Sequence, residues 1–265
     1  MTASTLQSSY HQQVADRIDR IDAMARQGGL DAAVELLADC VEADGVVQAF
    51  GSGHSECFAM EIATRAGGLI PTHACKAVDL VLAGLWDLAS FERPQFERQS
   101  EAGDALYDLY DIRAADVFLI ASNSGVNGMI VGLALRAKAE GHPVIAVTSL
   151  EHTRRATPGH PSGKRLAEVA DVVIDNLAPY GDTTLPVDSQ VKTGAVSSIT
   201  AAYIAQLLTI GVVDRFLWRG QTPPLYISAN VPGGIERNQA CENRYEGRLR
   251  PYARLSRLSQ ASARP

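Results

Sequence analysis

Two short apolar runs, each ending in a serine- and glycine-rich turn, constrain this 265-residue chain more than any other feature. Val46-Val47-Gln48-Ala49-Phe50 runs into Gly51-Ser52-Gly53-His54-Ser55. A helical pattern then covers residues 55–66 and stops at Gly67-Gly68. Asp116-Val117-Phe118-Leu119-Ile120-Ala121 runs into Ser122-Asn123-Ser124-Gly125, and a helix over 127–140 closes at Gly141. Further strand-like runs occupy 69–73, 143–148 and 172–174. Short apolar strands alternating with helices predict an α/β fold of parallel strands joined by right-handed crossovers. Such sheets bind ligands beyond the carboxyl ends of their strands, near the point where strand order reverses. Both turns belong there.

Around this core, apolar residues at helical spacing (Val14, Ile18, Ile21, Met24) predict a helix over 10–24, and a second spans 31–42. Residues 83–105 are rich in charge and aromatics without a clear period, and 106–112 read as the end of a helix. A polar loop over 178–192 leads to a final apolar helix over 193–216. Residues 244–265 carry Arg244, Arg248, Arg250, Arg254, Arg257 and Arg264 and read as a surface extension. The expected division is an N-terminal helical extension (1–30), an α/β domain (31–220) and a C-terminal extension (221–265).

Net charge of 24 − 30 = −6 argues against general nucleic-acid binding. The four cysteines show no CxxC pair and read as buried residues of a reduced protein. Residues 1–17 hold no apolar run fit for a signal peptide, and no segment approaches about 18 consecutive apolar residues. A cytoplasmic location without membrane association is the expectation.

The second turn carries the sharper chemical signal. A helix N-terminus has unpaired N–H groups and a partial positive charge, so a phosphate there gains hydrogen bonds without a lysine. Serine hydroxyls add donors, and glycine lets the backbone approach closely. The simpler alternative is that Ser124 or Asn127 only caps the helix. The first turn is neither GxGxxG nor a Walker A loop, so alone it is weak. Two such turns in one sheet can aim donors at one crevice.

These residues resemble the sugar isomerase (SIS) domain family. The resemblance rests on FGSGHS, Glu61 with Arg65-Ala66-Gly67-Gly68, SNSG, the VTSLEH run, SGKRLAEVADVVIDN and SANVPGG. It covers roughly 31–248 and is strongest to a phosphosugar-binding branch of the family, with features of phosphoheptose isomerases. The resemblance implies a five-stranded parallel sheet flanked by helices, a flavodoxin-like three-layer sandwich, assembled as a homodimer or homotetramer. It also implies a phosphate held by Ser55, Ser122, Ser124 and Asn127, to which Ser52 and Asn123 are added as neighbours on the same turns.

Isomerising a sugar phosphate needs a base beside the carbonyl and a stabiliser of the enediolate. Glu61 on the first helix is the expected base, with an ordinary Glu61–Arg65 pair at i,i+4 as the alternative. His152 follows the strand ending Thr148-Ser149 and faces the same sheet edge. Lys192, placed at the start of the last helix, would balance anionic charge, or is simply solvated. Asp182 reads as a turn residue. Phosphoheptose isomerases carry a metal-binding His at the Glu61 position and an acidic ligand at the Arg65 position. A cation at Arg65 opposes a metal, so neither metal nor cofactor is expected. The expected activity is metal-independent isomerisation of an aldose–ketose or amino-sugar phosphate. A non-catalytic phosphosugar sensor and a sugar-phosphate etherase are the alternatives.

Overall fold

The computed structural model describes residues 3–93, 95–245 and 247–250. Five strands form one wholly parallel sheet: β1 (Val47–Gly51), β2 (Thr72–Ala74), β3 (Val117–Ala121), β4 (Val144–Thr148) and β5 (Val172–Asp175), in the order β2-β1-β3-β4-β5. The expected strand over 69–73 thus begins later. Residues before it instead pair with the C-terminal segment, where Leu69 bridges Leu225 and Tyr226 N–H donates to Gly68 O at 2.9 Å.

Side-chain alternation along the strands builds two cores. Val47, Ala49, Leu119, Ile145 and Val147 face one layer, made by α1 (Ala3–Arg26), α2 (Asp31–Glu42), α3 (Glu56–Ile62) and the long helix after β5. Phe50, Phe118, Ile120, Val144 and Ala146 face the other. The stretch that showed no sequence period resolves into α4 (Asp79–Leu82), α5 (Leu88–Phe91), a 3₁₀ turn at Phe96–Arg98 and α6 (Glu101–Leu109), which packs on α7 (Gly128–Ala139). Its aromatics explain themselves: Trp86 and Phe91 meet buried Phe96 edge-on, with ring centroids 6.3 and 5.1 Å apart. Two short helices follow β4, α8 (Leu150–Arg155) and α9 (Leu166–Val169).

The polar loop contains an antiparallel hairpin, β6 (Thr183–Pro186) with β7 (Lys192–Ala195). The last apolar helix, α10 (Ser197–Trp218), therefore starts later than its sequence pattern suggested, and Lys192 lies on an exposed hairpin strand rather than at a helix start. Among the described residues α10 is the helix long and apolar enough to cross a membrane. Here its apolar side packs on α1, α2 and α3, burying Ile204, Ala205, Leu208 and Val212. α11 (Gly234–Glu242) follows.

The arginine-bearing tail departs from the expected surface segment: Tyr245 and Leu249 are buried, and so is Arg248. The Arg248 side chain is 2% exposed and pairs with Asp116, itself 0% exposed. Asp116 also accepts Val46 N–H and Gln48 Nε2, each at 2.9 Å. A buried arginine needs such a partner. Arg254, Arg257 and Arg264 lie outside the described residues.

Candidate functional site

Strand order reverses between β1 and β3. From there α3 leaves toward one face of the sheet and α7 toward the other, so the two turns diverge and open a crevice at the carboxyl ends. A cleft in this crevice is lined by His54 and Ser55 from the first turn and by Ser122 and Asn123 from the second. Phe58 and Val147 supply apolar wall, and Asn176, Ser197 and Ser198 close the far side. Asn176 ends the SGKRLAEVADVVIDN run but was assigned no role, and Ser197 and Ser198 carried no motif. Asn176 simply follows a strand, and the two serines open a helix whose start the sequence placed earlier.

Each turn has a defined local cause. Residues 53–55 form a single 3₁₀ turn that feeds α3, and the Ser55 side chain makes no capping bond to that helix. Ser122 Oγ accepts the Gly125 N–H at 3.1 Å, which tightens the second turn. The expected helix over 55–66 ends at Ile62, because Ala63 is extended and Thr64 takes a left-handed φ of 59°. Ser124 is half-buried beside Asn123 but does not line the cleft.

Asn127 is neither a cap nor a free donor. It sits at the N-cap position of α7 without a capping bond, and its amide donates to Glu97 Oε2 at 2.9 Å. Ser52 Oγ donates to the same oxygen at 3.0 Å. Two side chains expected to hold phosphate thus hold a carboxylate of this chain. Glu97 was not legible as a site residue, since it lies in the aperiodic stretch before α6.

A hydrogen-bond chain joins His152 to the cleft. Its Nδ1 lies 3.4 Å from Asn123 Nδ2, and Asn123 Oδ1 accepts Asn176 Nδ2 at 3.2 Å. Burial lowers the imidazole pKa, favouring the neutral ring. Tyr180 packs against that ring at 5.0 Å, and the Arg155 guanidinium covers Tyr180 at 4.0 Å. Asp182 does more than shape a turn: it accepts the Val196 and Ser197 N–H groups and the Ser197 hydroxyl, capping α10 where it meets the cleft.

Glu61 and Lys192 do not line this cleft. Glu61 lies further along α3, where its carboxylate pairs with Arg65 and accepts Gln206 Nε2 from α10 at 2.6 Å. A guanidinium against that carboxylate is unsuited to a cation site, and no three His, Cys, Asp or Glu side chains cluster as metal ligands among the described residues.

These features define a class: a doubly wound α/β protein whose polar crevice lies at the reversal of strand order. The SIS domain family matches residues 9–149, more than half of the chain, and the chain belongs to that family. A UPF0309 protein of Listeria monocytogenes is 38% identical over 218 residues, covering 82% of this chain and 88% of its own. Another, from Caldanaerobacter subterraneus, is 32% identical over 244 residues, covering 91% and 98%. A phosphoheptose isomerase from Francisella tularensis superposes with a TM-score of 0.54 at 18% identity, over 80% of this chain and 98% of that one, which is a likeness of fold.

Proposed function

We propose that this protein binds the phosphate of a sugar phosphate in the β1–β3 crevice and isomerises the sugar. The observation that carries the reading is the convergence of Ser55 with Ser122 and Asn123 on one cleft. Ser55 Oγ is a hydroxyl donor without a capping role, and the N-terminus of α7 adds partial positive charge to the second turn. The phosphate-binding set drawn from the cleft is Ser55, Ser122 and Asn123, with Ser124 kept as a proposed donor from the same turn although it does not line the cleft. Ser52 and Asn127 act on it through Glu97.

Membership of the SIS family supports a sugar as the rest of the ligand. Of the three proposed catalytic groups, His152 is the one wired to the cleft, and a neutral imidazole suits moving a proton between adjacent sugar oxygens. Glu61 is kept as the proposed carboxylate base, set back from the cleft on α3 and bonded to Arg65 and Gln206. The sensor alternative draws support from the same residue, because its carboxylate is already occupied by Arg65 and Gln206. We also propose metal-independent action, a cytoplasmic location, a homo-oligomeric assembly and terminal extensions at 1–30 and 221–265.

A thermal-shift series with pentose and hexose phosphates tests the reading. A ligand that binds the folded state alone raises its melting temperature. Stabilisation by a sugar phosphate, absent with the unphosphorylated sugar, is expected. No shift with any phosphate in the series would overturn it. Turnover lost in Glu61→Gln with binding retained favours the enzyme over the sensor.

A further inference from the structure

Asn176 lines the cleft where the chain leaves β5, and its side-chain amide is fixed in orientation. It is 3% exposed, and Leu177 after it takes a left-handed φ of 59°, uncommon for a leucine. That turn brings the Ala178 N–H onto Asn176 Oδ1 at 3.0 Å. Three further bonds hold it. Leu177 N–H donates to Asp175 Oδ1 at 3.0 Å, Arg17 Nε from α1 donates to Leu177 O at 3.0 Å, and Ser149 Oγ donates to Ala178 O at 2.6 Å. A left-handed leucine persists only where its surroundings over-determine it, as they do here.

A backbone N–H only donates, so the orientation of each amide down the chain of bonds follows from that one contact. Asn176 Oδ1 faces Ala178, which leaves Nδ2 to donate to Asn123 Oδ1 at 3.2 Å. With its oxygen engaged, Asn123 has Nδ2 as the atom 3.4 Å from His152 Nδ1. A ring nitrogen that faces a donor accepts, and burial favours the neutral ring. The single proton of that ring therefore sits on Nε2.

We propose that Asn176 is a positioning residue: it fixes which way the Asn123 amide faces, and through that amide it holds His152 in the Nε2–H form. This deepens the phosphate reading, in which Asn123 is a donor in the cleft. With Oδ1 turned to Asn176, Asn123 offers an anion nitrogen rather than oxygen, and an amide nitrogen carries two N–H groups, of which His152 takes one. The opposite orientation would present a carbonyl oxygen and repel an anion. For His152 the consequence is a direction. Nδ1 is engaged and Nε2 carries the proton, so the ring donates and does not serve as the base.

Nitrogen-15 NMR of the full chain, labelled in histidine, reads the proton's position directly. The spectra are taken at a pH high enough that the ring carries one proton, and the His152 signals are those lost in His152→Gln. The wild type should show a protonated Nε2 and a bare Nδ1. Asn176→Asp keeps an oxygen for the Ala178 N–H but sets a second oxygen where the donor to Asn123 stood. The Asn123 amide should then turn over, with Nδ2 toward that carboxylate and Oδ1 toward His152, and the proton should move from Nε2 to Nδ1. A purely structural role for Asn176 predicts no such move. A wild-type ring protonated at Nδ1, or a folded Asn176→Asp in which Nδ1 stays bare, overturns the assignment. If Asn176→Asp fails to fold, Asn123→Asp takes its place. Its carboxylate accepts from Asn176 with one oxygen and faces His152 with the other, so the proton must appear on Nδ1 or the assignment falls. Calorimetry with inorganic phosphate and sugar phosphates separates the two claims. If none binds the wild type while the proton moves as described, the phosphate reading fails and the role of Asn176 stands. If they bind and the proton does not move, this inference alone fails.

Discussion

The two ends of the sheet treat polar side chains in opposite ways. Toward the start of β3, Asp116 is 0% exposed at its side chain and is met by Arg248, Gln48 and the Val46 N–H. Gln48 in turn bonds His73, whose ring meets Tyr110 edge-on at 4.5 Å, and Tyr110 donates to Asp79. Beyond the carboxyl ends, Ser55, Ser122 and Asn123 face a cleft instead of one another. A network whose buried groups pair with one another stabilises and specifies a fold, and here it is complete but for Asp79 Oδ1, which is buried without a hydrogen bond. Donors that converge on a cleft are arranged for something other than the chain. That difference is the ground for reading the first cluster as structural and the second as the proposed site, although both are built of similar residue types.

Breaking the closed network should cost most. Arg248→Met leaves Asp116 buried with a lost cation, and should lower unfolding stability by about 3–5 kcal/mol in urea titration. A loss under 1 kcal/mol would make Arg248 a surface residue after all. The double variant Asp116→Asn/Arg248→Met should recover part of the loss.

The next effect is set by pH. Burial, with the charges of Arg248 and Lys76, lowers the His73 pKa from 6.5 to about 4. The folded state then binds fewer protons than the unfolded chain between these values. His73 therefore contributes stability above pH 6.5 that is lost as pH falls toward 4, about 3 kcal/mol in total. His73→Gln should flatten stability across that window, and an unchanged slope would refute the assignment.

At the open end the expected pattern reverses. Asn123→Ala should weaken sugar-phosphate binding by about 1–3 kcal/mol while changing unfolding stability far less. If it instead destabilises the fold as much as Arg248→Met does, the contrast between the two ends disappears. The smallest stability effect belongs to Glu61→Gln. A partly exposed i,i+4 pair contributes only a few tenths of a kcal/mol, so the melting temperature should hardly move.

What the sequence revealed follows the same division. Short continuous apolar runs are local pattern, and they located four of the strands and both turns, while the run at 69–73 began three residues before β2 because its first residues pair with the C-terminal segment. Arg248 looked like one of six tail arginines because nothing in its neighbourhood signals a partner at Asp116, 132 residues away. Lys192 was misplaced because hairpin pairing overrode an apparent helix start. Glu97 was invisible because its segment is held by aromatic packing and glycine contacts, which have no sequence period. Asn176, Ser197 and Ser198 reach the cleft through the sheet's order, which no short motif encodes.

The central claim is that hydroxyl and amide donors from two neighbouring turns meet on one phosphate. Calorimetric titration of wild type and Ser55→Ala with glucitol 6-phosphate tests it most directly. Affinity should fall about tenfold or more, the scale of one lost hydrogen bond to a charged group. A Ser55→Ala protein that binds as tightly as the wild type would contradict the account.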